Sequence, residues 1–229
     1  MSLTVVVPFF NEENTLLESV TRLVNCKIAS EIFLVNDGST DKSLELAKML
    51  SSQNNNITVF DKSKNTGKGS CIKFILNEVG SDYLLVHDAD LEQDPKDIKN
   101  LYNLSLLNPE TLITGSRILG DLKRDRKYSL YTFANRFLSA IFSLLYNYKV
   151  SDISTGYIVI PIKFLRKIKL QEEGFGFEIE IISKFLKYNK SLIEYPISYN
   201  GRKYSDGKKI KIKDGLNIFL KIFKYKFFN

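Results

Sequence analysis

Two carboxylates separated by one small residue close an apolar run: Asp88-Ala89-Asp90 follows Tyr83-Leu84-Leu85-Val86-His87. Side chains alternate along an extended chain, so Asp88 and Asp90 point the same way while the backbone stays extended, and Ala89 leaves room for a ligand. Glu92 adds a third oxygen donor. Hard oxygen ligands suit Mg2+ or Mn2+, which keep open positions for diphosphate oxygens. The chemistry expected of this chain is therefore the handling of a phosphorylated substrate. Alone, the same residues read equally well as a solvated turn, with Asp94-Pro95 starting the next helix.

The elements around this motif decide between the two. Leu3-Thr4-Val5-Val6-Val7-Pro8 reads as a buried strand running into Phe9-Phe10-Asn11-Glu12-Glu13-Asn14. Glu31-Ile32-Phe33-Leu34-Val35-Asn36 runs into Asp37-Gly38-Ser39-Thr40-Asp41, where Gly38 allows a tight turn and Ser39 or Thr40 can cap a helix from Lys42 to Leu50. Ile57-Thr58-Val59-Phe60 precedes Asn65-Thr66-Gly67-Lys68-Gly69, and Thr111-Leu112-Ile113-Thr114 precedes Gly115-Ser116-Arg117. Strand, polar loop and helix alternate. That order predicts right-handed βαβ units and a mostly parallel central sheet flanked by helices, with ligands bound beyond the carboxyl ends of the strands. All the polar loops then face one crevice.

The chain has 229 residues, 44% of them hydrophobic, which suits one α/β domain over 1–229. No linker or fixed-period repeat divides it, and Ser51-Ser52-Gln53-Asn54-Asn55-Asn56 reads as a surface connection. Cys26 and Cys71 have no disulfide-scaffold or metal-like spacing, and the chain enters a strand at once with no signal sequence, so a cytoplasmic setting is expected. His87 is the single histidine; at the end of a buried strand it reads as a hydrogen-bonded core residue, which argues against a His-dependent triad.

Taken together and in this order, the polar loops resemble those of family-2 glycosyltransferases of the GT-A (Rossmann-like) fold. The resemblance is to the branch containing dolichyl-phosphate mannose synthase and bacterial polyprenyl-phosphate glycosyltransferases. It rests on Val7-Pro8-Phe9-Phe10-Asn11-Glu12-Glu13, Val35-Asn36-Asp37-Gly38-Ser39-Thr40-Asp41, Asn65-Thr66-Gly67-Lys68-Gly69, Asp88-Ala89-Asp90-Leu91-Glu92 and Gly115-Ser116-Arg117. Gly174-Phe175-Gly176-Phe177-Glu178-Ile179-Glu180, Tyr199-Asn200-Gly201-Arg202, Gly207-Lys208-Lys209-Ile210 and Lys213-Asp214-Gly215 extend it to nearly the whole chain. Two positions depart: Glu92 stands where such synthases usually carry Gln, and Phe10 where Tyr is common.

The resemblance implies a GDP- or UDP-sugar donor and inverting transfer of its sugar. Pro8, Phe10, Glu12 and Asp37 would form the nucleoside pocket, with Gly67, Lys68, Ala89 and Arg117 also lining the donor site. Asp88, Asp90 and Glu92 would hold Mg2+ or Mn2+ on the diphosphate, and Arg202 with Lys208 would close over it. The acceptor implied is a polyprenyl phosphate. A hydroxyl acceptor such as diacylglycerol or a glycan is the alternative, and it would need Asp152, Glu178 or Glu180 as base. Outside sugar transfer, a sugar nucleotidyltransferase or a silent nucleotide-sugar-binding module is the alternative, although the former's Gly-rich loop after the first strand is missing.

Two segments, 117–148 and 201–229, are candidate acceptor- or membrane-facing elements. The net charge of +7 is concentrated after Gly201, and Leu216 to Phe228 mixes Lys with bulky apolar residues at helical spacing. This reads either as a helix at an anionic cytoplasmic membrane surface, making the protein peripheral, or as a core helix with snorkelling lysines. From Lys127 to Tyr148, Leu130, Phe133, Phe137, Ile141, Leu144 and Leu145 form one stripe interrupted by Asn135 and Arg136. It is too short and broken to span a bilayer; an interfacial helix, a contact in a homo-oligomer or ordinary core are the readings. Arg117, Arg124, Arg126 and Arg136 are positioned in sequence to grip a lipid phosphate. Nucleic-acid binding is not expected, because no such motif is present and the crevice carries carboxylates.

Overall fold

The computed structural model describes residues 1–119, 129–174, 176–188, 191–201 and 212–228. The apolar run at the start forms β1 (Leu3–Phe9), an interior strand of a seven-stranded sheet. On one side it pairs in parallel with β2 (Glu31–Asp37), which pairs in parallel with β3 (Ile57–Lys62); on the other it pairs in parallel with β4 (Tyr83–Val86). The sheet continues through β6 (Ile158–Pro161), β5 (Leu112–Ser116) and β7 (Leu192–Pro196). β6 is antiparallel to both its neighbours, while β5 and β7 are parallel. The expected α/β architecture with a mostly parallel sheet is what forms.

Both faces of this sheet are covered, which is why its strands read as continuous apolar runs. Leu3, Val5, Val7 and Phe9 of β1 point to the side packed by α1 (Leu16–Asn25), α2 (Ser43–Gln53) and α4 (Asp97–Leu107). Val6, with Phe33, Val35, Leu84 and Val86 of neighbouring strands, points to the other side. There it meets α3 (Lys68–Ile75), α5 (Ser129–Tyr146), α6 (Ile162–Leu165), α7 (Phe177–Lys187) and α8 (Ile212–Phe227). Burying these two apolar layers, at about 25 cal/mol per Å2, is the main force holding the strand ends in register.

One local expectation is corrected. Neither Ser39 nor Thr40 caps α2: Asp41 Oδ1 accepts the Ser43 amide at 3.0 Å. Ser39 and Thr40 instead reach across to the β1–α1 loop, as described below.

The two candidate membrane elements also resolve into definite packing. In α8, Ile222 and Tyr225 are fully buried in the core, so the helix packs on the domain rather than lying wholly on another surface. Three of its lysines have protein partners: Lys221 and Lys224 pair with Glu172, and Lys226 lies 4.9 Å over the Tyr146 ring. Leu216, Leu220, Phe227 and Phe228 nevertheless stay exposed. In α5, Leu138 and Phe142 face inward, whereas Phe133, Phe137 and Leu144 of the expected stripe face out. Among the described residues, no helix is long and apolar enough to cross a membrane.

Candidate active site

The loops after β1 and β2 are laced together. Asn11, in the left-handed region at φ 50°, donates its amide to Ser39 Oγ at 3.0 Å, and its Oδ1 accepts the Thr40 amide at 2.8 Å. The Glu12 amide donates to Ser43 Oγ at 2.8 Å, and the Glu13 amide to Asp41 Oδ2 at 3.1 Å. Glu12 itself is buried, accepting Thr15 Oγ1 at 2.7 Å. Pro8 and Phe10 are half-buried beside it. A rigid wall of the crevice results, with its polar groups satisfied from within.

Asp37 organises the next loop. Its Oδ1 accepts Lys62 Nζ and the Thr66 amide (3.1 Å), and its Oδ2 accepts the Gly67 amide at 2.6 Å. Burial favours the neutral acid, but the Lys62 ammonium and the two amides outweigh it and hold the carboxyl below its ordinary value. Gly67, at φ 99°, is required twice over: a Cβ there would lie 2.6 Å from the Glu173 carbonyl oxygen. The Gly67-Lys68-Gly69 turn thus fits against the loop that leads into α7.

Lys68 then turns inward. Its Nζ lies 2.8 Å from Asp88 Oδ1 and 3.0 Å from Glu178 Oε1. Burial disfavours the ammonium, yet the two carboxylates more than compensate and keep it protonated well above its ordinary value. Asp88 is therefore neutralised by a lysine from α3. Beyond it, Asp90 Oδ1 accepts the Glu92 amide at 3.0 Å, and Glu92 Oε2 accepts the Tyr199 hydroxyl. Gln93 is buried, and its Oε1 has no hydrogen-bond partner among the described residues.

The three acidic residues expected to hold a metal do not converge: among the described residues, no group of three His, Cys, Asp or Glu side chains is placed to hold an ion. The physical reason is visible, since Lys68 holds Asp88 and Tyr199 holds Glu92. A three-carboxylate cage is not what Mg2+ or Mn2+ requires on a diphosphate, where one or two protein carboxylates plus phosphate oxygens suffice. The donor set of Asp90 and its neighbours, with the orphaned Gln93 oxygen in the same loop, fits that mode.

At the end of β5, Arg117 is partly buried and turned onto the protein. Its Nε and Nη2 each lie 2.8 Å from the fully buried Asp152 carboxylate, and Nη2 also reaches the Ser154 carbonyl at 2.8 Å. Asn135 of α5 donates to Asp152 Oδ1 at 2.7 Å, which accounts for the polar break in that helix. Burial raises the Asp152 pKa, but Arg117 and Asn135 overcome it and hold the carboxyl low. Arg117, expected at the donor and acceptor sites, is here the base of a fork on Asp152. Arg136 lies exposed on α5. Arg124, Arg126, Arg202 and Lys208 lie outside the described residues.

His87 sits in the core, as expected. Its Nδ1 is 2.6 Å from the Tyr157 hydroxyl and its Nε2 3.1 Å from Ser19 Oγ. Burial, opposed by Asp88, pushes its pKa down to about 4. Lys62, Gln93, Tyr157 and Tyr199 were not singled out by the sequence as site residues. Tyr199 alone carried a signal, standing at the head of the Tyr199-Asn200-Gly201-Arg202 motif.

The model of the family described as "Glycosyl transferase family 2" matches residues 4–169, most of the chain and every strand-end loop of the crevice from β1 to β5. The chain belongs to glycosyl transferase family 2. This family-2 chain is 27% identical over 216 residues to a dolichol-phosphate mannosyltransferase of Pyrococcus furiosus, covering 91% of this chain and 59% of the relative. It is 33% identical over 133 residues to an undecaprenyl-phosphate 4-deoxy-4-formamido-L-arabinose transferase of Photorhabdus laumondii, covering 56% of this chain and 39% of the relative. It therefore spans less than two thirds of these relatives' length.

Among solved structures, it superposes with a TM-score of 0.75 and 15% identity on glucosyl-3-phosphoglycerate synthase of Mycobacterium tuberculosis in complex with Mn2+, UDP and phosphoglyceric acid, covering 100% of this chain and 79% of that one. A mannosyltransferase of Pyrobaculum calidifontis in complex with GDP-Man and Mn2+ superposes with a TM-score of 0.64 and 15% identity, covering 85% and 55%. At this identity, these likenesses establish the GT-A fold. Membership of the family sets aside the nucleotidyltransferase alternative.

Proposed function

We propose that this family-2 domain transfers a sugar from a GDP- or UDP-sugar to a polyprenyl phosphate, with inversion at the anomeric carbon. One observation carries the reading. The parallel strands β1, β2 and β4 all end at one edge of the sheet, where the Asn11–Glu13 loop, the Asp37 turn and the Asp88-Ala89-Asp90 loop gather.

Within that crevice, the laced β1 and β2 loops and the turn held by Asp37 shape the nucleoside pocket. Lys68 orients Asp88, and Asp90 follows it in the same loop on the side of the diphosphate. A divalent cation bound there supplies Lewis-acid stabilisation of the charge on the departing diphosphate. Arg202 and Lys208, where the sequence places them, add further positive charge to that leaving group.

The acceptor follows from what the carboxylates are doing. A phosphate monoester is already largely ionised near neutrality, its second pKa being about 6, and needs no base. A hydroxyl does need one, but Asp152 is bound by Arg117, Glu178 by Lys68, and Glu180 by Lys184 and the Gln171 and Glu172 amides. None is held as a general base would be, which supports a phosphate acceptor, as do the names of the relatives.

Such an acceptor lies in a membrane, and we place the protein peripherally at its cytoplasmic face, with the outward Phe133, Phe137 and Leu144 of α5 and Leu216 and Leu220 of α8 as the contact. Incubation with panels of GDP- and UDP-sugars, Mg2+ or Mn2+, and either polyprenyl phosphate or diacylglycerol tests the reading by mass spectrometry. A β-linked glycosyl phosphopolyprenol is expected from an α-linked donor. Product on diacylglycerol alone would replace the acceptor, and an α-linked product would overturn inversion.

A further inference from the structure

We propose that Tyr199 is a positioning residue for the donor site: it fixes the Glu92 carboxylate and, through it, the loop that carries Asp90. The proposal rests on the donor-site reading above. Three separate pieces of chain meet at this tyrosine. Its hydroxyl donates to Glu92 Oε2 in the loop after β4. The Arg117 guanidinium, from the end of β5, lies 5.1 Å over its ring, and Arg117 is in turn held by Asp152. Tyr199 itself follows β7 and leads directly into the basic Arg202 segment.

The backbone repeats the attachment. Gln93 and Tyr199 form an isolated antiparallel bridge, and the Asn200 amide donates to the Glu92 carbonyl at 2.7 Å. One residue earlier, the Ser198 amide donates to Asp97 Oδ2 at 2.7 Å. The segment after β7 is thus bolted along the loop that follows the two aspartates.

That loop needs a fastener. Leu91, between Asp90 and Glu92, has φ 63°, a left-handed conformation that a leucine keeps only when its surroundings impose it. Glu92 is anchored on every side of this strained residue: its amide by Asp90, its carbonyl by Asn200 and its carboxylate by Tyr199. A carboxylate accepting a hydroxyl proton is a strong, directional bond, so the tyrosine selects one orientation of Glu92 out of several rotamers. The Arg117 cation above the ring limits the swing of the tyrosine in turn. The acidic side chain at a position where related synthases usually carry Gln thus has a dedicated donor.

The test is Tyr199→Phe in the full chain, which keeps the ring under Arg117 and deletes the hydroxyl. Two measurements are made. Without ligand, hydrogen exchange at the Glu92 and Asn200 amides should become about tenfold faster, as expected for loss of one charge-assisted bond. By calorimetry with GDP and UDP, the Mn2+ concentration needed for half-maximal nucleotide binding should rise about tenfold, with metal-free nucleotide affinity unchanged. Glu92→Gln, which retains an acceptor oxygen for the hydroxyl, should keep slow exchange.

Exchange and Mn2+ titrations that superimpose on the wild type overturn the proposal. Faster exchange with an unchanged Mn2+ titration also overturns it, because Tyr199 would then be merely structural. If wild-type binding of both nucleotides ignores Mn2+, the donor-site reading fails. The exchange measurement then still decides whether Tyr199 holds the loop.

Discussion

Arg117 and Asp152 meet in a planar fork, with Nε to Oδ2 and Nη2 to Oδ1 both at 2.8 Å and the Arg117 backbone amide closing on the same Oδ2 at 2.9 Å. The carboxylate is fully buried and the guanidinium largely so, and the pair joins the end of β5 to the 151–157 loop. Removing one partner strands the other. Asp152→Asn should cost about 3–5 kcal/mol and lower the melting temperature by roughly 10 °C. Arg117→Lys should also destabilise, because an ammonium cannot reproduce the fork. Thermal unfolding of both variants checks this, and a change of under about 2 °C in Asp152→Asn would refute it.

Asp90→Asn should abolish sugar transfer and weaken nucleotide binding in Mn2+ while leaving metal-free affinity little changed. The amide keeps the shape of the side chain but offers a neutral oxygen to a hard cation. Calorimetry with and without Mn2+ measures both quantities, and equal Mn2+-dependent affinities for mutant and wild type would sink the assignment of Asp90.

Stability should depend on pH through His87. Its folded pKa of about 4 lies below the ordinary 6.5, so the unfolded chain takes up the proton first. The stabilisation is complete above pH 6.5 and is lost as pH falls from there toward 4, by roughly 3 kcal/mol in all. It is the single histidine, and the depressed carboxyls Asp37 and Asp152 act at lower pH. Asp97, raised chiefly by burial, and Glu172, whose burial is outweighed by Lys221 and Tyr225 so that it is held down, overlap the acid end, so the comparison with His87→Gln isolates the histidine's share. Denaturant unfolding between pH 7 and 4.5 should show this slope in the wild type. His87→Gln, whatever its absolute stability, should flatten it.

Membrane attachment should run through apolar side chains rather than through Lys221 and Lys224, which Glu172 engages. Phe137→Gln with Leu220→Gln should reduce co-sedimentation with anionic vesicles at least several-fold without altering the circular dichroism spectrum. The loss of two exposed side chains, each worth about 1.5–3 kcal/mol when buried, sets that scale. Wild-type protein left in the supernatant at every lipid composition would instead point to a soluble acceptor.

The sequence by itself determined the first five strands, the alternation that makes their sheet mostly parallel, and the edge at which the polar loops gather. Those features are local: a strand buried on both faces is a continuous apolar run, and βαβ connections have one hand. It also determined that His87 belongs to the core, because a histidine closing such a run has nowhere else to go. The short β6 and β7 escaped, since β6 is antiparallel to both neighbours and its place between β4 and β5 depends on strands distant in the chain.

What only the tertiary structure decided is which charge answers which. Residue type alone does not say that Arg117 meets the Asp152 carboxylate or that Asp88 meets the Lys68 ammonium. Asp152 stands 35 residues from Arg117, and Tyr199 stands 107 residues from Glu92. Such pairs form because burial makes an unpartnered charge or hydroxyl too costly, so each takes the partner that the folded sheet brings within reach. Periodicity along the chain holds no record of that choice.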